Sequence, residues 1–176
     1  YCQGYTPIIP PTIVKDFALW GTGMLPFGEG DMFEIGNTAE QESGELIADR
    51  LLLAGTSEVG IAGYFANEVL REEDLPLRFV GFSPCYRREV GGYGRDTKGL
   101  YRVHEFFKVE QFIICKNDYA ESEKLHQELL ANSEALVQGL KIPYQVIEIA
   151  TGDMGAGKYR MYDIESWMPS RNAYGE

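Results

Sequence analysis

The sequence is short of histidine, of cysteine and of positive charge. Its two histidines, His104 and His126, are too few for a histidine-rich metal site. Its three cysteines, Cys2, Cys85 and Cys115, are odd in number and widely spaced, with no CxxC pair. That excludes a disulfide framework and fits a reducing cytoplasm. Lysine and arginine number 16 against 27 aspartates and glutamates, a net charge of −11, so overall charge argues against nucleic-acid contact. Acidic enzymes can still focus positive charge locally, and Arg87, Arg88, Arg95, Lys98 and Arg102 form such a cluster. No apolar run approaches a membrane span, and no signal-peptide pattern, internal repeat or low-complexity tract is visible. A cytoplasmic location without membrane contact is the expectation. What remains is ordinary globular material: 176 residues, 44% hydrophobic and 24% charged, enough for one domain with a real core.

The stretch from Phe82 to Gln111 carries most of the chemistry. Val80–Glu89 is β-prone, with aromatic and branched side chains. Residues 90–99 hold four glycines with Arg95, Asp96 and Lys98, the composition of a polar loop. Leu100–Cys115 is again β-prone. Alternation across that strand puts Arg102, His104, Phe106, Lys108 and Glu110 on one face, and Tyr101, Val103, Phe107, Val109 and Ile113 on the other. Arg87 and Glu89 likewise share a face of the first strand. The hairpin so drawn presents arginines, glutamates and an aromatic ring together. Arginine forks grip phosphate or carboxylate oxygens at two points. An aromatic ring flanked by arginine can stack on a purine, and a glutamate can hold an ammonium group. By periodicity alone, an amphipathic hairpin with a solvated charged face fits equally well.

Order adds what periodicity lacks. Tyr86-Arg-Arg-Glu89, then Gly94-Arg-Asp-Thr97, then Gly99-Leu-Tyr-Arg-Val-His-Glu-Phe106, Lys108-Val-Glu110, resembles motif 2 of class II aminoacyl-tRNA synthetases, in the version found in seryl-tRNA synthetases. Flanking segments extend the likeness over nearly all of the chain. Tyr5–Pro11 reads as a short strand stopped by prolines and resembles the end of motif 1, which the family uses in its dimer interface. Gly21-Thr-Gly-Met-Leu-Pro26 resembles a family segment of the same order.

Local signals place the other elements. A helix is expected over Pro11–Trp20, a strand over Asp31–Ile35, an acidic exposed loop over Gly36–Asp49 and a buried strand over Arg50–Ala54. Thr56 has the form of a helix N-cap, followed by Val59, Ala62, Ala66, Val69 and Leu70 at helical spacing. Beside motif 2, Thr56-Ser57-Glu58 also resembles the seryl enzymes' substrate loop; Gly60 departs from a proline common there. Asp118 reads as the cap of a helix with Glu121 as its capping-box partner and a stripe of Leu125, Leu129, Ser133, Leu136 and Leu140; His126 beside that stripe reads as structural. Tyr144–Ala150 reads as a strand. Gly152, Gly157 and Lys158 have the spacing of a phosphate-binding loop. Tyr159 stands where Ser or Thr should hold magnesium, and a strand pattern follows instead of a helix. The Thr-Gly-Asp-x-Gly turn before Tyr-Asp-Ile-Glu-x-Trp in seryl enzymes accounts for it better.

The resemblance implies an α+β fold: a mostly antiparallel sheet flanked by helices, as one partial class II catalytic domain over residues 1–176. Motif 1 would survive as a remnant near 5–11, and motif 2 would lie at 80–112. Motif 3 and the N-terminal tRNA-binding arm would be absent, leaving the domain incomplete at both ends. Such a fragment is expected to be weak or inactive alone and to fold poorly at an unpaired sheet edge. The activity implied is serine–tRNA ligation: ATP-dependent activation of serine to seryl-adenylate, then transfer to tRNA(Ser). Arg87 and Arg102 would be catalytic, on the α- and γ-phosphates. Arg88, Glu89, Val103, Phe106 and Glu176 would complete the ATP site, with Glu176 holding Mg2+. Thr56, Ser57, Glu58, Arg87 and Glu110 would bind serine, and loop 90–99 would meet the tRNA acceptor end. The full-length protein would be a homodimer. A ligase charging a carrier protein, and a non-catalytic module of the same fold, are the alternatives; the second predicts lost ligands, yet Arg87, Glu89, Arg102, Phe106 and Glu110 all stand.

Overall fold

The computed structural model describes residues 3–36, 50–90 and 100–175, which divide into two compact units, Tyr1–Ile114 and Cys115–Glu176. The fold is α+β, and among the described residues pairing within its sheets is antiparallel except for one parallel pair.

The first unit holds two three-stranded sheets. In one, β1 (Thr6–Ile8) runs parallel to β5 (Leu77–Tyr86), which pairs antiparallel with β6 (Glu105–Ile114) in a register from Leu77↔Ile114 to Tyr86↔Glu105. In the other, β4 (Leu51–Leu53) lies between β2 (Ile13–Lys15) and β3 (Glu34–Ile35). Among the described residues the unit also holds two α-helices, α1 (Asp16–Gly21) and α2 (Ser57–Tyr64).

Alternation explains which side chains go inside. Val14 is buried between exposed Ile13 and Lys15, and Leu52 is buried between half-buried leucines. They join Ala18, Leu19, Leu25, Ala54 and Val59 in one cluster. Each large aliphatic there contributes roughly 1.5–3 kcal/mol of burial. Helix α2 packs on β5 and β6 through Ser57 and Ile61, one turn apart, and glycine makes that approach possible. A Cβ on Gly81 of β5 would stand 2.7 Å from the Ser57 Cβ and 3.2 Å from Ile61 Cδ1. A Cβ on Gly60 of α2 would stand 2.8 Å from the Pro10 Cβ. The residue that departs from the seryl pattern thus seats the helix against the Pro10–Pro11 turn.

Several expected boundaries shift. The helix drawn over Pro11–Trp20 begins only at Asp16, because Ile13–Lys15 pairs with Leu51–Leu53. The strand drawn from Asp31 shortens to Glu34–Ile35 behind a 3₁₀ turn at Glu29–Asp31. Helix α2 stops at Tyr64, so Val69, 95% exposed, is no part of a buried stripe. Both hairpin strands end short of the glycine-rich loop: Arg87 and Glu89 follow β5, and Arg102 and His104 precede β6.

The second unit is one helix and one antiparallel sheet. α3 (Tyr119–Gly139) begins where Asp118 Oδ1 accepts the Glu121 backbone N–H at 2.8 Å. Its expected stripe is buried only at the start: Leu125 is buried, whereas Leu136 and Leu140 are exposed. β8 (Tyr162–Met168) lies between β7 (Tyr144–Glu148) and β9 (Ala173–Gly175). Residues 151–158 form turns that lead into β8, so no helix follows the GxxxxGK spacing and the phosphate-loop reading fails in three dimensions as it did in sequence. Arg160 pairs with Glu123 and Glu148 and lies over the Tyr162 ring. Among the described residues, no helix is long and apolar enough to cross a membrane.

Candidate functional site

The β5–β6 hairpin and the start of α2 build one polar site within the first unit. Cross-strand register sets Gly81 opposite Glu110, Ser83 opposite Lys108 and Cys85 opposite Phe106. Gly81, Ser83 and Cys85 are buried, and Phe106, Lys108 and Glu110 are half-buried on the same side. The other side exposes Phe107 and Val109, with Phe82 stacked on Phe107. The absent side chain at Gly81 lets the first turn of α2 descend onto Glu110. The Ser57 backbone N–H donates to Glu110 Oε2 at 2.8 Å, so the carboxylate sits at a helix N-terminus, where backbone N–H groups and the dipole favour negative charge.

Thr56 and Lys108 complete that knot. The Thr56 hydroxyl lies 2.6 Å from each Glu110 oxygen, and with one proton it can donate to one of them at a time. Lys108 Nζ donates to Thr56 Oγ1 at 2.7 Å and pairs with Glu110 Oε2 at 3.1 Å. The Glu58 backbone N–H reaches the same hydroxyl at 3.4 Å, which is the cap expected of Thr56. Ser57 Oγ instead pairs with Ser83 Oγ at 2.7 Å and is fully buried. Ser57 therefore meets Glu110 through its backbone N–H, while its side chain faces Ser83.

Arginines frame the other end. Arg87 donates from Nε and Nη2 to the Gly55 carbonyl at 3.4 Å, and its guanidinium lies 5.5 Å from the Phe106 ring centroid. Its backbone N–H donates to the His104 carbonyl, and His104 Nδ1 lies 3.1 Å from the Arg87 carbonyl, so the two arms of the hairpin stay clasped beyond the strands. Arg102 pairs with Glu89 at 2.7 Å. Glu89 has φ +54, a left-handed conformation uncommon for a side chain of its kind and frequent at constrained functional positions. Val103 lies beside Arg102 and is half-buried.

Arg88 points elsewhere. Its backbone N–H donates to the Asp31 carbonyl, and it lines a separate cavity of about 480 Å³ with Glu29, Glu34 and Arg50. The structure thus gathers Thr56, Arg87, Phe106 and Glu110, pairs Glu89 with Arg102, and leaves Arg88 apart. Loop residues 91–99, with Arg95, Asp96 and Lys98, and Glu176 lie outside the described residues. The metal expectation rested on Glu176, and among the described residues no cluster of His, Cys, Asp and Glu could hold a metal ion. Lys108 was overlooked as a site residue, although its place between Phe106 and Glu110 on the same strand face was a sufficient signal.

Arranged along one surface are an aromatic ring with a guanidinium over it, an ammonium, and a carboxylate at a helix start. This array can hold a molecule with a planar base, an anionic middle and a cationic end. Comparison with known proteins places the chain in a family. Residues 40–176 match the family model of the tRNA synthetase class II core domain (G, H, P, S and T). The chain is 46% identical over 174 residues to a serine–tRNA ligase of Deinococcus radiodurans and 44% identical over 174 to one of Methanoregula boonei, covering 99% of this chain and 38% of each relative. It superposes on the crystal structure of seryl-tRNA synthetase from Pyrococcus horikoshii complexed with ATP, with TM-score 0.85 and 41% identity, over 98% of this chain and 36% of that one. The cytoplasmic serine–tRNA ligase of Naegleria fowleri in complex with AMP gives TM-score 0.86 and 31% identity, over 98% of this chain and 38% of that one. The chain therefore spans less than two fifths of the length of these relatives.

Proposed function

The chain belongs to the class II tRNA synthetase core family, and from that premise we propose that the protein carrying it is a serine–tRNA ligase. It activates serine with ATP and transfers the seryl group to tRNA(Ser). The observation that carries this reading is the order of groups along β6. Phe106, under Arg87, is followed on the same face by Lys108 and Glu110, and this matches the base, phosphate and ammonium of an aminoacyl-adenylate.

In the first step the serine carboxylate attacks the α-phosphorus of ATP and pyrophosphate leaves. Positioning and charge neutralisation dominate such chemistry. Arg87 holds the α-phosphate and draws the carboxylate into line, and Phe106 stacks on the adenine. Glu89 takes the adenine amino edge and Arg102 the γ-phosphate, which requires their mutual pair to part. Glu110, with the Thr56–Glu58 turn, takes the serine ammonium and hydroxyl. A site that hydrogen-bonds a hydroxyl rejects alanine, because its polar groups would otherwise be left unpaired. In the second step the terminal hydroxyl of tRNA attacks the activated carbonyl and AMP leaves; loop 90–99 is our candidate for meeting the acceptor end. Magnesium is assigned only as the companion of the nucleotide phosphates, through Glu176.

Two further readings follow from the same kinship. The protein is a homodimer through the segment near 5–11, a view supported by exposed Ile9, Ile13, Phe17 and Trp20. It acts in the cytoplasm, like the cytoplasmic serine–tRNA ligase of Naegleria fowleri. The test is ATP–pyrophosphate exchange by the protein carrying this chain, with serine, threonine, glycine and alanine. Exchange with serine alone, lowered by about 10²–10³-fold in Arg87→Ala, is expected. Absence of exchange with every amino acid, from a folded protein, would refute the reading.

A further inference from the structure

While Lys108 is in place, the Thr56 hydroxyl has nothing left to offer a ligand. Its one proton goes to Glu110, and its lone pairs face Lys108 Nζ at 2.7 Å and the Glu58 N–H at 3.4 Å. Glu110 is similarly occupied, by the Thr56 hydroxyl, the Ser57 N–H and Lys108. Of these partners only Lys108 can leave without unwinding α2, because the others are fixed by the helix start. It is also the only one that carries a full positive charge.

We infer that Lys108 is a stand-in for the substrate's ammonium group: it neutralises Glu110 in the empty site and is displaced when that ammonium arrives. The idea rests on the serine-binding reading above and gives Lys108 a positioning role within it. Displacement keeps one cation on Glu110 in both states, so the half-buried carboxylate is never left bare. It also frees the lysine, two residues from Phe106 on the same strand face, for the anionic part of the substrate. Entry of a ligand is thus an exchange of one ammonium for another.

Two probes separate this role from a structural one. 2-Aminoethanol carries the ammonium and hydroxyl without a carboxylate, and 3-hydroxypropionate carries the carboxylate and hydroxyl without an ammonium. Their affinities are measured by calorimetry on the wild-type protein carrying this chain and on Lys108→Met, with Lys108→Gln as the second variant if the first loses its thermal transition. Removing the competitor should tighten 2-aminoethanol by about threefold or more, the scale of a partly exposed ion pair, while 3-hydroxypropionate weakens. Changes in the same direction for both probes, or in neither, overturn the inference, because a lysine that merely braces Thr56 would harm both. Serine-dependent pyrophosphate exchange by the wild type, run alongside, judges the underlying reading separately: its failure leaves the opposed response of the two probes intact as evidence about Lys108.

Discussion

Replacing Thr56 by valine removes one oxygen from the centre of the knot and keeps its volume. Thr56 is 4% exposed, so water cannot take the oxygen's place. Two strong contacts are lost, the 2.6 Å bond to the Glu110 carboxylate and the 2.7 Å bond from the Lys108 ammonium. Each joins a charged group and would be worth about 1.5–3 kcal/mol alone. They are not lost independently, because Lys108 and Glu110 keep their own 3.1 Å contact and Ser57 keeps its 2.8 Å bond. With the substrate ammonium in the place of Lys108, the Thr56 oxygen has the same two charged neighbours in the transition state, and the net loss should be about 2–3 kcal/mol in transition-state stabilisation. In kcat/KM for serine-dependent pyrophosphate exchange that is about 30- to 150-fold. Thr56→Ser, which keeps the oxygen, should stay within about threefold of wild type. A Thr56→Val protein that melts normally and retains wild-type kcat/KM for serine would refute the argument, since the network would then lie outside the amino-acid site.

Three other outcomes are expected. Arg87→Ala should lower exchange by about 10²–10³-fold, the scale of a lost transition-state donor, whereas Arg88→Ala, altering a different cavity, should leave KM for ATP unchanged; equal losses would show that the two arginines act together. Gly81→Ala should drive a methyl group into Ser57, costing about 1–3 kcal/mol and lowering the melting temperature, and an unchanged melt would mean that α2 does not press on β5 as described. Asp163 has its pKa raised by burial first and by Glu165 second, so the folded state holds its proton longer than the unfolded chain does. Its charged form therefore costs stability as pH rises through the folded value. Asp163→Asn should raise the melting temperature at neutral pH, with the gain fading at pH below the ordinary aspartate value of about 3.9; a lower melting temperature at neutral pH would contradict this.

The hairpin, the Thr56 cap and the Asp118 cap could be read from residues alone, because each rests on local geometry: period-two alternation, or a side chain reaching two or three residues ahead. Element ends were less legible. Nothing local in Pro11–Lys15 says that it will pair with Leu51–Leu53, and that pairing takes three residues from the expected helix. Leu136 and Leu140 continue a helical stripe yet stand exposed, which spacing alone does not reveal. In the site, charge type and strand face pointed to Glu110 and Arg87. The burial of Ser57 against Ser83 and the reach of Lys108 to Thr56 depend on how closely α2 approaches β5, and the sequence hinted at that only through the glycine at position 81.

The bonds that tie Thr56 and Ser57 to Lys108 and Glu110 join residues 52 to 54 positions apart. By contrast, α3 is held by contacts one turn apart. Closing so long a loop costs entropy that no local element can offset in advance. The Thr56–Glu110 end of the candidate site is therefore absent from any state in which the hairpin and α2 have not yet met. A partly folded chain that keeps its helices lacks this cluster of groups, and with it the site proposed for the amino acid.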